Sequence, residues 1–220
     1  IIYEQQSNQQ IRARVATVSG TSVSSGTDVV TEAGTGGDKY ISASSAGANK
    51  VIMIARQEAA YAGNYYVWAR IFTISGTSVS FGSLVDVSGA TASTGTGHRY
   101  GVCYDSNADR VVVFYVISGD TTLYAKVGTV SGSSVSFGSA VDTGYDCQSG
   151  DLRPVFDPST NKVVLVFSDS GNAGITKAIV GTVSGTSISF ASDPTTFGAN
   201  IGNPTAVYNS TNSTIVLGYS

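Results

Sequence analysis

Histidine, tryptophan and methionine each occur once in this chain, cysteine twice and proline four times. Each scarcity removes a class of chemistry. With His98 alone there is no second imidazole for a metal cage and no catalytic dyad, so it is read as a polar loop residue beside Arg99. Cys103 and Cys147 fall at non-equivalent places in the chain. The ligand pairs of a zinc site are therefore missing. Two free thiols are the expectation, and a disulfide is the alternative. Charge is also sparse, with 12 basic and 15 acidic residues and a net charge of −3. That balance speaks against a nucleic-acid footprint and against a polybasic membrane surface. No apolar run approaches the ~18 residues of a membrane-spanning helix, and no stretch has convincing helical periodicity. The chain does not begin with Met and has no signal-peptide pattern, which points to a processed chain or an excerpt of a longer one.

Glycine is plentiful, at 26 of 220 residues, and serine and threonine are abundant. These residues are organised by a repeat. Residues 127–139 read VGTVSGSSVSFGS, and related runs occupy 15–26, 71–83 and 180–192. The Ser-Gly cores begin at Ser19, Ser75, Ser131 and Ser184, offsets of 56, 56 and 53 residues. A period of this size means an array of supersecondary units. Within each copy, two alternating β-branched runs flank a Ser/Gly/Thr corner, the pattern of a tight hairpin. A two-residue loop would place Gly20, Gly76, Gly132 and Gly185 at the first central position of a type II′ turn, where φ is positive.

The units span approximately 1–50, 51–110, 111–162 and 163–214, with 215–220 beginning or closing a further one. Each is expected to contain four strands in meander order. The opening runs, 51–55, 111–115 and 163–167, are continuously apolar, as expected of strands covered on both faces. Later strands alternate serine with apolar residues. The fold expectation is all-β: a β-propeller of four-stranded antiparallel blades with the opening runs innermost. A linear stack of β-sandwich or solenoid units is the alternative. Polar turns link the units. Asp105, Asp157 and Asn209 open them at equivalent places, with Ser45 in the first, and an Asx side chain there caps its own backbone. Asp169-Ser170-Gly171-Asn172 is read as a further turn and not as a calcium loop, which needs several converging oxygens.

No nucleophile elbow with a histidine partner and no phosphate loop with its lysine is present. Asn209-Ser210-Thr211 and Asn212-Ser213-Thr214 match the glycosylation sequon. The second unit departs most from the others. It carries Tyr61, Tyr65, Tyr66 and Trp68 in one long hairpin, with Arg56 and Arg70 nearby. These aromatics either pack between units or form a contact surface, for which Tyr61, Asn64, Tyr65 and Tyr66 are the candidate partner- or glycan-binding residues. Strand alternation sends Tyr66 and Trp68 to one face and Tyr65 to the other. Trp68 is expected to pack and Tyr61 to project.

Two runs carry a resemblance: residues 156–167, in which Phe156-Asp157 is followed by Asn161-Lys162-Val163-Val164, and residues 178–190. They resemble repeats of cyanophage tail-fibre and related virion proteins of marine bacteriophages. The likeness extends over all four units, most loosely the first. It implies a non-enzymatic structural protein, without cofactors, located on the virion or outside the cell. Its partners would be other virion proteins or a host-surface glycan, in a homo-oligomeric setting and without membrane insertion. A secreted bacterial lectin or adhesion module built from the same repeat is the alternative.

Overall fold

The structure, a computed structural model, describes residues 1–5, 10–32, 40–58, 65–89, 99–117, 121–147, 152–198 and 204–218. His98, Tyr61 and Asn64 lie outside the described residues. Alternation and β-branching act through the whole chain, and the described residues form 22 strands and one short 3-10 turn.

The strands fall into sheets that follow one another along the chain. Sheet I contains β1 (Ile2–Gln5), β2 (Gln10–Ala13) and β5 (Val29–Glu32), with the hairpin β3 (Ala16–Ser19) and β4 (Ser22–Ser25) beside it. Sheet II contains β6 (Ile41–Ser45), β7 (Lys50–Glu58), β8 (Tyr65–Ser75), β9 (Ser78–Phe81) and β10 (Val85–Asp86). Sheet III contains β11 (Tyr100–Asp105), β12 (Arg110–Val116), β13 (Thr122–Ser131), β14 (Ser134–Phe137) and β15 (Val141–Asp146). Sheet IV repeats this with β16 (Arg153–Asp157), β17 (Lys162–Asp169), β18 (Ile175–Ser184), β19 (Ser187–Phe190) and β20 (Thr195–Gly198). The hairpin β21 (Thr205–Asn209) and β22 (Thr214–Gly218) forms the two-stranded sheet V.

Each full sheet is an antiparallel meander of four strands with a fifth attached. In sheet III the order is β11-β12-β13-β14, and β15 pairs with the first half of β13 while β14 pairs with its second half. The Ser-Gly hairpin therefore extends past the outermost strand. The apolar runs differ from expectation in place. β12 and β17 lie inside their sheets, between β11 and β13 and between β16 and β18, and are not edge strands. The reason is the Asp-opened turn. It is a local hairpin that pairs the strand before it with the apolar run after it, as Tyr104↔Val111 and Phe156↔Val163.

Both faces of those runs are covered, as their composition requires. In β12, Val111, Val113 and Tyr115 point to a core shared with sheet II, where they meet Ile52, Ile54, Val67 and Ile71. Val112, Phe114 and Val116 point the other way, to a core shared with Val163, Leu165, Phe167 and Ile179 of sheet IV. A smaller core joins Ile11 and Ala13 of sheet I to Met53, Ala55 and Phe72. Every full sheet thus has a leading face toward the earlier sheet and a trailing face toward the later one.

Candidate functional site

The corners that shape the surface follow from backbone chemistry. Gly20, Gly76 and Gly132 have φ of 58° and Gly185 of 60°, as the type II′ reading requires. A second left-handed position closes each turn between the first and second strands, at Asn49, Asp109, Asn161 and Ser213, with φ between 54° and 56°. Asn and Asp tolerate this region best among residues with a Cβ. Asp105 Oδ1 accepts from the Asn107 and Ala108 amides, Asp157 Oδ1 from the Ser159 amide, and Asn209 Oδ1 from the Thr211 amide. These side chains hold turns.

The turn at Asp169 is likewise filled from within. Its Oδ1 accepts from the Gly171 amide at 3.0 Å, and its Oδ2 from Asn172 Nδ2 at 2.8 Å and Lys177 Nζ at 2.6 Å. Burial opposes the charge on Asp169, but the bonds from Lys177, Asn172 and Gly171 outweigh it and hold its pKa below the ordinary range. Donors surround this carboxylate, whereas a calcium loop would turn oxygens inward. Among the described residues no group of three or more His, Cys, Asp or Glu is placed to hold a metal. Cys103 and Cys147 are both buried free thiols in the core between sheets III and IV. Burial pushes the Cys103 pKa up, away from a reactive thiolate.

Of the aromatic hairpin, Tyr65 lies in β8. Tyr66 and Trp68 share a face, with ring centroids 6.1 Å apart and planes inclined by 60°. Both are half-buried, so Trp68 is less enclosed than its expected packing role implies. The two nearby arginines are engaged in structure. Arg56 lies over the Tyr40 ring at 5.3 Å, and its amide donates to Tyr100 Oη at 3.1 Å. The Tyr100 hydroxyl in turn donates to the Tyr40 carbonyl. Arg70 is buried, covers the Phe81 ring at 4.9 Å and donates to the Thr31 carbonyl of sheet I. Lys126 occupies the same place in sheet III and donates to the Val87 carbonyl of sheet II at 2.6 Å. These cations are joints between successive sheets.

A groove that sequence reasoning did not single out runs across the first strands of the sheets, β6, β11, β16 and β21. It is open to solvent, with a volume of about 430 Å³, and its lining includes Ser44, Ser45, Tyr104, Ser106, Phe156 and Tyr208. Ser45, Tyr104, Phe156 and Tyr208 are register equivalents, opposite Val51, Val111, Val163 and Ile215, so the repeat delivers one side chain per sheet to one groove. Ser45 therefore does not take the place of Asp105 as expected; Ala46 does, its amide donating to the Lys50 carbonyl, because this turn is one residue shorter. Tyr104, Phe156 and Tyr208 are half-buried, leaving ring surface accessible. Tyr104 donates to Asp109 Oδ1 at 2.7 Å. Desolvation, then this bond and the nearby carboxylates, push its pKa up to about 12. The arrangement offers aromatic faces beside serine hydroxyls, chemistry suited to a hydroxyl-rich ligand. The signal for it is the aromatic residue that precedes Asp105, Asp157 and Asn209.

No family model, no curated protein and no solved structure matches this chain.

Proposed function

We propose that this chain is a non-enzymatic structural module of a bacteriophage virion, in a tail fibre or on the particle surface, with its sheets arranged as blades of a β-propeller. The observation that carries the reading is where the repeat places its polar groups. Asp105 and Asp157 hold turns, Asp169 closes a turn and an ion pair, and Arg70 and Lys126 bridge sheets. The propeller arrangement is supported by the first strands, since β11 lies against both β6 and β16, and β16 against β21, as inner strands would around an axis. Such a scaffold presents loops and the first-strand groove to other virion proteins or to a host-surface glycan. Antibodies raised against the chain should decorate virions from a producing lysate under the electron microscope. Label confined to free protein in the culture fluid overturns the virion reading.

The aromatic groove favours a second reading, a secreted lectin or adhesion module. Its mark is glycan binding by the isolated chain that is lost in Tyr104→Ala and Tyr208→Ala. A panel of bacterial envelope glycans with no such binding removes it.

A further inference from the structure

The joints between sheets repeat, and the hairpin of sheet I and the Val180 end of sheet IV each have only one side of such a joint. Val135 of sheet III and Ile188 of sheet IV sit at the same place in their Ser-Gly hairpins and are 4% and 3% exposed, each buried against the preceding sheet. The equivalent residue of sheet I is Val23, which is 69% exposed, beside Val18 at 71%. At the other end, Val180 occupies the place of Ile71 and Val127. Those two are fully buried, whereas Val180 is 39% exposed. The leading face of sheet I and the Val180 end of sheet IV's trailing face, whose other residues Val166 and Ala178 are buried, are thus the two halves of the joint that recurs inside the molecule.

Three glycines define how closely that joint can approach. A Cβ at Gly26 would overlap the carbonyl oxygen of Thr77 in the next sheet's Ser-Gly turn. At Gly82 it would overlap the Ser133 carbonyl, and at Gly138 the Thr186 carbonyl. Each glycine donates its amide back across its own hairpin, to Val15, Ile71 and Val127 respectively. The fourth copy keeps that bond, from the Ala191 amide to the Val180 carbonyl at 2.9 Å, but carries a methyl group. The place that would receive the next turn is occupied by a Cβ.

From this we infer that the Val180–Ala191 end of sheet IV's trailing face is a self-recognition surface for the Ser-Gly hairpin of sheet I of a second copy, and that the Ala191 methyl group keeps it closed. The partner follows from continuity with the joints already in the molecule. Val18 and Val23 of the second copy would cover Val180, as the hairpin of sheet III covers Ile71. Thr21 would bring its carbonyl against residue 191. β1 of the incoming copy and β22 are second strands of the same type, so one would take the other's place at the end of the array. Contacts of this head-to-tail kind generate chains or rings, which makes a steric stop valuable.

The experiment is sedimentation velocity over a hundredfold range of concentration on the full chain. The wild-type chain and Ala191→Ser, which retains a Cβ, should remain monomeric. Ala191→Gly should associate progressively, and Ala191→Gly combined with Val18→Lys should return to monomer. Thermal midpoints of all variants establish that each is folded, and Ala191→Ser controls for any change at this site that is not removal of the methyl group. Folded Ala191→Gly that sediments as wild type overturns the proposal, as does wild-type association abolished by Val18→Lys.

Discussion

Glycine enters this repeat for two different physical reasons. Gly132 has φ of 58° and open space where a Cβ would stand, so its requirement is conformational. Gly128 would bring a Cβ against the Phe137 ring and Val111, so its requirement is room. Replacing Gly132 by Val should cost about 1–3 kcal/mol through backbone strain alone. An unchanged midpoint in chemical denaturation would show that no such strain exists. Asn161 has a Cβ and φ of 55°, so Asn161→Gly should be neutral or slightly stabilising. Asn161→Val should lose about 1–3 kcal/mol. The two variants moving together in thermal melts would contradict a conformational origin. The glycine corners were legible because a two-residue β-turn leaves few choices of residue. The left-handed ends of the turns between first and second strands were less so, since Asn49, Asp109, Asn161 and Ser213 share a conformation but not a residue type.

At the scale of the element, the second strand of each full sheet carries the packing. Phe114 is fully buried, its ring 6.1 Å from that of Phe190 in the next sheet. Phe114→Ala should lower stability by about 3–5 kcal/mol, and a loss below ~1 kcal/mol in urea titration would mean that this joint contributes little. The double burial of these strands was readable from their unbroken apolar runs. Their partners were not. In a cyclic pattern of alternating strands, composition does not say which turn pairs its flanks, and the polar run 105–110 resembles a boundary as much as a hairpin. The joints made by Arg70 and Lys126 were also invisible. Each cation reaches a backbone carbonyl 39 residues away, and a carbonyl leaves no mark on side-chain pattern. The first-strand groove escaped for a related reason, because Tyr104, Phe156 and Tyr208 converge only when sheets stack.

Across the whole molecule, stability should form a plateau in pH with two flanks. The pKa values of Asp28, Asp157 and Asp169 are all lowered in the fold. For Asp28 the cause is foremost Arg14 and Tyr3, for Asp157 the Ser159 hydroxyl, and for Asp169 Lys177 and Asn172 acting against burial. A lowered carboxyl contributes fully above its unfolded pKa of about 4 and loses that contribution as pH falls through the folded value. Desolvation pushes Tyr104 and Tyr115 up to about 12. A raised group contributes fully below its unfolded pKa, about 10 for tyrosine, and loses that contribution as pH rises toward 12. Urea midpoints should therefore fall below about pH 4 and above about pH 10. A midpoint independent of pH from 3 to 11 would contradict both assignments. Each Asp-opened turn joins the first two strands of one sheet, so a boundary placed at residue 111 or 163 falls inside a hairpin. A recombination that exchanged one period at residue 111 or 163 would part a hairpin, whereas a junction between β15 and β16 would transfer an intact sheet. Descent and engineering alike should favour crossovers at the second kind of junction.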